Sequence, residues 1–125
     1  MNYLDLGDVL KLHVLVLEFS GGSDGVRDAS RLEAAVATQR QEVFGKELYE
    51  GVHQKAAAMM RGIIADHPFI DGNKRTGILC AVTLLETNGC VLIAKKGELE
   101  DFAVKAAVDN LEVSDIAAWL QSKTT

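Results

Sequence analysis

Apolar positions recur at helical spacing along nearly the whole chain. Val9, Leu10, Leu12, Leu15, Val16 and Phe19 form one stripe, which predicts a first helix capped by Asp5 or Asp8 and stopped by Gly21-Gly22. Ser20 to Asp28, with three glycines, reads as a loop. Ser30-Arg31-Leu32-Glu33 has the form of a capping box opening a second helix through Leu32, Ala35, Val36 and Gln39, which stops before Gly45. A third helix, Val52 to Asp66, carries Ala56, Met59, Met60, Ile63 and Ile64 on one face. Pro68 ends it by disfavouring helical geometry at His67. A fourth helix starts near Asn73, turns Ile78, Ala81, Val82 and Leu85 inward and closes at Asn88-Gly89. Val91 to Ala94 reads as a short extended piece. Helices over Glu98 to Asn110 and Ser114 to Gln121 follow, the last capped by Ser114 and anchored by Ile116, Trp119 and Leu120. No pattern demands a sheet of three or more strands. The fold class is all-α, a compact bundle of about six helices.

The 125 residues are 48% hydrophobic with a single proline, which fits one domain, 1–125, with its own core and few forced helix breaks. A formal charge of −5 argues against direct nucleic-acid binding, where basic surface supplies most of the affinity. Any positive field must be local. Cys80 and Cys90 form no C-x-x-C pair and read as buried thiols rather than a disulfide or metal site. The N-terminus lacks the basic start and apolar run of a signal peptide. The most apolar stretch, Gly77 to Leu85, is far shorter than a membrane span. These features point to a soluble cytoplasmic protein with no membrane partner.

One segment concentrates chemistry. Between the third and fourth helices stands His67-Pro68-Phe69-Ile70-Asp71-Gly72-Asn73-Lys74-Arg75. A helix start there offers unpaired amides and the positive end of a dipole to an anion. Gly72 permits close approach of a phosphate, and Lys74 and Arg75 add two cations, the second with bidentate geometry. Asp71 is a hard oxygen ligand of the kind Mg²⁺ prefers. An imidazole, ordinarily titrating at about 6.5, offers His67 a neutral form to accept a hydroxyl proton. Taken singly, each residue has a plainer reading: a histidine closing a helix, an Asp-Gly-Asn turn, two solvated surface cations. Their packing into nine residues at one helix junction favours phosphate-transfer chemistry. Phe69 reads as core under either interpretation.

The segment resembles the signature of the Fic/Doc family, His-x-Phe-x-(Asp/Asn/Glu)-(Gly/Ala)-Asn-(Gly/Lys)-Arg, at every defined position. Softer likeness to the Doc (death-on-curing) branch covers His13, Gly21-Gly22, Gly25 to Asp28, Leu32-Glu33 and Asn88-Gly89. The adenylylating members carry a glycine where Lys74 stands and an arginine where Ile78 stands. These departures match the Doc branch, whose resemblance implies a toxin that moves the ATP γ-phosphate to a threonine of a translation factor, elongation factor Tu in the best-studied case, and so arrests growth. It implies His67 as general base, Asp71 as the Mg²⁺ ligand, and Gly72, Asn73, Lys74 and Arg75 around the phosphates. ATP and Mg²⁺ are the implied cofactors. AMP transfer through the same His67 is the alternative reaction, and a non-catalytic nucleotide- or partner-binding module a third reading.

Many members of that family silence themselves with a Ser/Thr-x-x-x-Glu-(Gly/Asn) helix. Thr38 and Glu42 have that spacing, but Val43 follows. The resemblance therefore implies control in trans by a Phd-like antitoxin whose tail lies in a groove of this protein. His13 reads as a core or helix-packing histidine that could brace the site, His53 as exposed. Arg27 and Asp28 could approach a nucleotide or serve a loop or cap equally well.

Overall fold

A computed structural model describes residues 1–95 and 97–125. Six helices are present among them: α1 (Leu6–Ser20), α2 (Ala29–Ala37), α3 (Gly51–Asp66), α4 (Asn73–Thr87), α5 (Glu98–Val108) and α6 (Val113–Ser122). The all-α architecture is as the periodicity predicts. Helix α3 is the axis of the bundle, packing against α2, α4, α5 and α6, while α1 lies against α4. Its inner positions explain why. Ala56, Ala57 and Ala58 are buried in succession, followed by Met59, Met60, Ile63 and Ile64. Small side chains let neighbours approach from several sides, so a helix buried through its middle turns sits at the centre. At Gly77 of α4, a Cβ would come within 3.0 Å of Ile64 and 3.3 Å of the Met60 carbonyl. That glycine is what sets the α3–α4 distance next to the site.

Several boundaries differ from the sequence pattern, each for a local reason. Helix α2 is capped not by Ser30 but by Asp28, whose carboxylate accepts from the Arg31 amide at 3.1 Å. The Arg27 and Asp28 amides both donate to the Pro68 carbonyl, at 2.7 and 3.0 Å, and this anchor starts the helix before the predicted box. Its α-helical part ends at Ala37, and a single 3₁₀ turn, Thr38–Arg40, follows. Helix α6 begins one residue before Ser114, with the Glu112 amide donating to Asp115 at 3.4 Å. Val91 to Ala94 does extend, bridging the C-terminal tail through Leu92 and Thr124. His53 is half-buried rather than exposed, its Nε2 lying 2.8 Å from the Thr124 hydroxyl.

A two-residue hairpin absent from the sequence reading, β1 (Glu42–Val43) against β2 (Lys46–Glu47), fills the α2–α3 connection. Lys55 holds it. This side chain is 1% exposed, and its ammonium donates to the Gln39 carbonyl at 2.8 Å, the Tyr49 carbonyl at 2.8 Å and the Glu47 carboxylate at 3.1 Å. Gln39, equally buried, in turn exchanges two hydrogen bonds with the Leu4 backbone. A buried charge survives only when its donors are matched, and here all three are. Both cysteines are free thiols, and burial pushes that of Cys80 up to about 12. Lys55→Ala, which strands two carbonyls and a carboxylate, should lower unfolding free energy by about 2–4 kcal/mol in urea titrations. An unchanged midpoint would show that the hairpin folds without this anchor.

Candidate active site

The nine-residue segment joins the C-terminus of α3 to the N-terminus of α4, and its shape follows from a few contacts. His67 caps α3 in the left-handed region, φ 47° and ψ 58°. Pro68 forbids helix at this residue, and an imidazole tolerates the left-handed well better than most side chains. Phe69 turns inward and is fully buried. The Asn73 side chain then closes the loop: its Oδ1 accepts from the Phe69 amide and its Nδ2 donates to the Phe69 carbonyl, both at 2.9 Å. From the opposite side the His13 ring stacks on Phe69 with centroids 3.8 Å apart and planes 7° off parallel. His13 Nε2 lies 2.9 Å from the Asp71 carbonyl oxygen. A carbonyl can only accept, so that nitrogen carries the proton. His13 thus braces the loop.

The glycine-rich connection after α1 lies along the same loop. Val26 bridges Phe69 antiparallel, and the Ile70 amide donates to the Gly25 carbonyl at 3.0 Å. Arg27 settles on the structural of its two readings, its Nε and Nη2 donating to the His67 and Asp66 carbonyls at 2.7 Å each. These belong to the unpaired carbonyl end of α3, where a cation is favoured by the helix dipole.

With the loop so held, His67, Asp71, Lys74 and Arg75 are all exposed and, with Gly72 and Asn73, face one cleft of about 540 Å³. Ser20, Gly21 and Gly22 form the opposite wall. Helix α4 begins with Gly72 as N-cap at φ 77°, so the amides of Asn73, Lys74 and Arg75 are its unpaired first turn. The Asn73 side chain is committed to Phe69, which leaves its backbone amide for a bound anion. The Arg75 guanidinium reaches across the cleft, Nη1 donating to the Ser20 hydroxyl at 2.7 Å. Ser20 was not legible as a site residue, because only folding brings a position 55 residues away against Arg75. Its sole sequence cue is its place directly before Gly21-Gly22.

Asp71 is positioned by two amides, Gly72 at 2.8 Å to Oδ1 and Ser23 at 3.2 Å to Oδ2. A Cβ on Gly22 would fall 2.7 Å from Oδ2, so that glycine keeps the carboxylate uncovered. Among the described residues no three histidines, cysteines or carboxylates converge as a metal cage. One open carboxylate beside an anion cleft suits Mg²⁺, which takes one or two carboxylates and completes its shell with water and phosphate oxygens. Among the described residues, no helix is long and apolar enough to cross a membrane.

Comparison with known proteins identifies relatives of the chain. Residues 3–85 match the model of the Fic/DOC family. The Toxin Doc of Mycolicibacterium smegmatis is 37% identical over 121 residues, covering 95% of this chain and 91% of that protein. The Protein kinase doc of Escherichia phage P1 is 29% identical over 121 residues, covering 97% and 94% respectively. Asn73→Ala, which leaves a buried amide and carbonyl of Phe69 unpaired, should cost about 2–4 kcal/mol of stability. Lys74→Ala should stay within about 0.5 kcal/mol of wild type in the same denaturation series. Equal losses for both would mean that Asn73 does not hold the loop.

Proposed function

The chain belongs to the Fic/DOC family, and on that footing we propose that it is a Doc-type toxin: a protein kinase that moves the γ-phosphate of ATP to a threonine hydroxyl of a translation factor. The relatives named a toxin and a protein kinase support this reading. The observation that carries it is the make-up of the cleft. His67 and the open first turn of α4 face the same space, and two cations, Lys74 and Arg75, stand at that helix end. One turn beyond Lys74, Ile78 offers an apolar half-buried side chain where adenylylating members have a phosphate-gripping arginine.

The chemistry asked of each group is modest. The three amides of Asn73, Lys74 and Arg75 and the two cations lower the free energy of charge building on the phosphoryl oxygens. Asp71 would hold Mg²⁺, which when bound neutralises phosphate charge. The acceptor oxygen forms a bond to the γ-phosphorus as the bond to the bridging oxygen breaks, with that electron pair leaving on ADP. His67 takes the acceptor's proton. Elongation factor Tu is the proposed target, and its loss would stop translation and growth.

Control falls to a Phd-like antitoxin. Thr38 and Glu42 lie in the 3₁₀ turn and in β1, not on an inhibitory helix. A separate apolar groove of about 360 Å³ runs between α1 and α4, with Leu15, Ile78 and Val82 along it and Phe19 at its edge. Leu15 is 44% and Phe19 90% exposed, although the periodicity of α1 predicts both inside. The groove shares Val16, Ser20 and Arg75 with the cleft, so an apolar antitoxin segment seated there would touch the phosphate-binding arginine. An exposed Phe of this kind is a typical interface anchor.

Intact-mass analysis of elongation factor Tu and of a whole lysate, after incubation with ATP and Mg²⁺, tests the activity. Wild type should add one phosphate, and His67→Ala should slow the transfer by about 10²–10⁴-fold. An AMP-sized addition would replace the kinase with the nucleotidyl-transfer reading, and no addition to any protein would favour a binding module. Phe19→Glu should weaken binding of the purified antitoxin about tenfold or more in calorimetry and leave the kinase active. Undiminished binding would move the antitoxin off this groove.

A further inference from the structure

His67 stands on the rim of two cavities. Besides the anion cleft, it borders a second of about 220 Å³ between the C-terminal half of α3, the end of α5 and the start of α6. Ile64, Ala106, Leu111 and Ile116 give this cavity an apolar lining. Pockets that take drug-sized ligands measure about 300–1,000 Å³, so the space is too small for a nucleotide and suits one aliphatic side chain.

The position matters more than the size. In the proposed transfer the phosphates occupy the cleft at the start of α4, and the acceptor hydroxyl must meet His67. The cavity and the cleft share His67 and no other lining residue, so a polypeptide that presents its hydroxyl to His67 from outside the cleft would pass the cavity. We propose that the cavity receives an aliphatic side chain of the acceptor protein, one or two residues from the modified hydroxyl, and so sets the sequence preference of the enzyme.

The rim fits an extended acceptor. Asn110 stands at φ 50° just after α5, and the Leu111 amide returns to the Ala106 carbonyl at 3.0 Å. Arg61 Nε donates to the Leu111 carbonyl at 2.8 Å and Nη2 to the Asn110 Oδ1 at 3.4 Å. Among the described residues, Arg61 Nη1 and the side-chain Nδ2 of Asn110 have no side-chain or backbone acceptor. Two donors beside an apolar hole can grip backbone carbonyls while the hole takes a side chain, the usual division between main-chain affinity and side-chain specificity.

This inference rests on the transferase reading, and one experiment separates the two. Wild type, Ala107→Trp and the milder Ala107→Leu are compared, Ala107 being an exposed wall residue of the cavity that does not line the cleft. Transfer of label from [γ-³²P]ATP is measured to proteins of a bacterial extract and to threonine peptides whose flanking residues are Val or Leu, or Glu or Lys. ATP affinity is measured by calorimetry on the same samples. Filling the cavity should cut transfer roughly 10–200-fold with ATP affinity unchanged, and wild type should prefer the aliphatic peptides. Unchanged transfer in both variants, or no preference among peptides, overturns the acceptor pocket while leaving the kinase intact. Loss of ATP affinity along with transfer overturns it by assigning the cavity to the nucleotide. Absence of label with wild type itself removes the parent activity, and the pocket falls with it.

Discussion

The clasp between the Asn73 side chain and both backbone polar groups of Phe69 is the contact on which the site depends. It closes a tight loop over four residues, and it does so inside the protein, where each of its two hydrogen bonds would leave a desolvated partner if broken. Once Phe69 is fixed, its ring has one place to go, between the core and the His13 ring. With Phe69 inward and His13 holding the Asp71 carbonyl, the intervening polar residues are directed to solvent. His67 is therefore placed by its backbone, and the Asp71 carboxylate is tethered in addition by the Gly72 and Ser23 amides. An amide side chain is suited to this task because it presents one donor and one acceptor together.

The same junction brings two opposite helix ends into a few residues, and the protein treats them differently. The carbonyl end of α3 is covered by the Arg27 guanidinium, which comes from the glycine-rich connection. The amide end of α4 is left open and flanked by Lys74 and Arg75. A chain of net charge −5 thus builds a small region of positive potential without a basic surface. Among the described residues that line the cleft, Asp71, tethered by two amides, is the carboxylate that would hold a bound cation.

Around this centre the cavities share walls. The anion cleft and the apolar α1–α4 groove have Val16, Ser20 and Arg75 in common, and the cleft and the α3–α5–α6 cavity meet at His67. Such sharing gives the proposed roles a common physical basis. Under the proposal, a segment seated in the groove would reach the cleft at Arg75, whose guanidinium bonds to Ser20 at the border. A side chain in the other cavity would lie against His67, the residue that borders both spaces. Helices α3 and α4 pack closely on each other, and Gly77 at their contact, against Ile64 and Met60, keeps the arrangement tight.

The sequence by itself determined the helical class, the central stripe of α3 and which residues gather at the α3–α4 junction. Each of these is a local property: an i, i+3, i+4 repeat, a proline after a helix, a glycine before one, and cations at its start. Tertiary structure decided what local pattern cannot encode. It moved the cap of α2 from Ser30 to Asp28 because the Pro68 carbonyl captures two amides from a segment 40 residues away. It buried His13 and Lys55 by matching every donor they present. It left Leu15 and Phe19 exposed although they lie on the apolar stripe, because the face of α1 turned to the bundle carries Val9, His13 and Val16, with Leu10 and Leu12 beside them. And it set Ser20 against Arg75, a pairing between distant residues that no spacing along the chain announces.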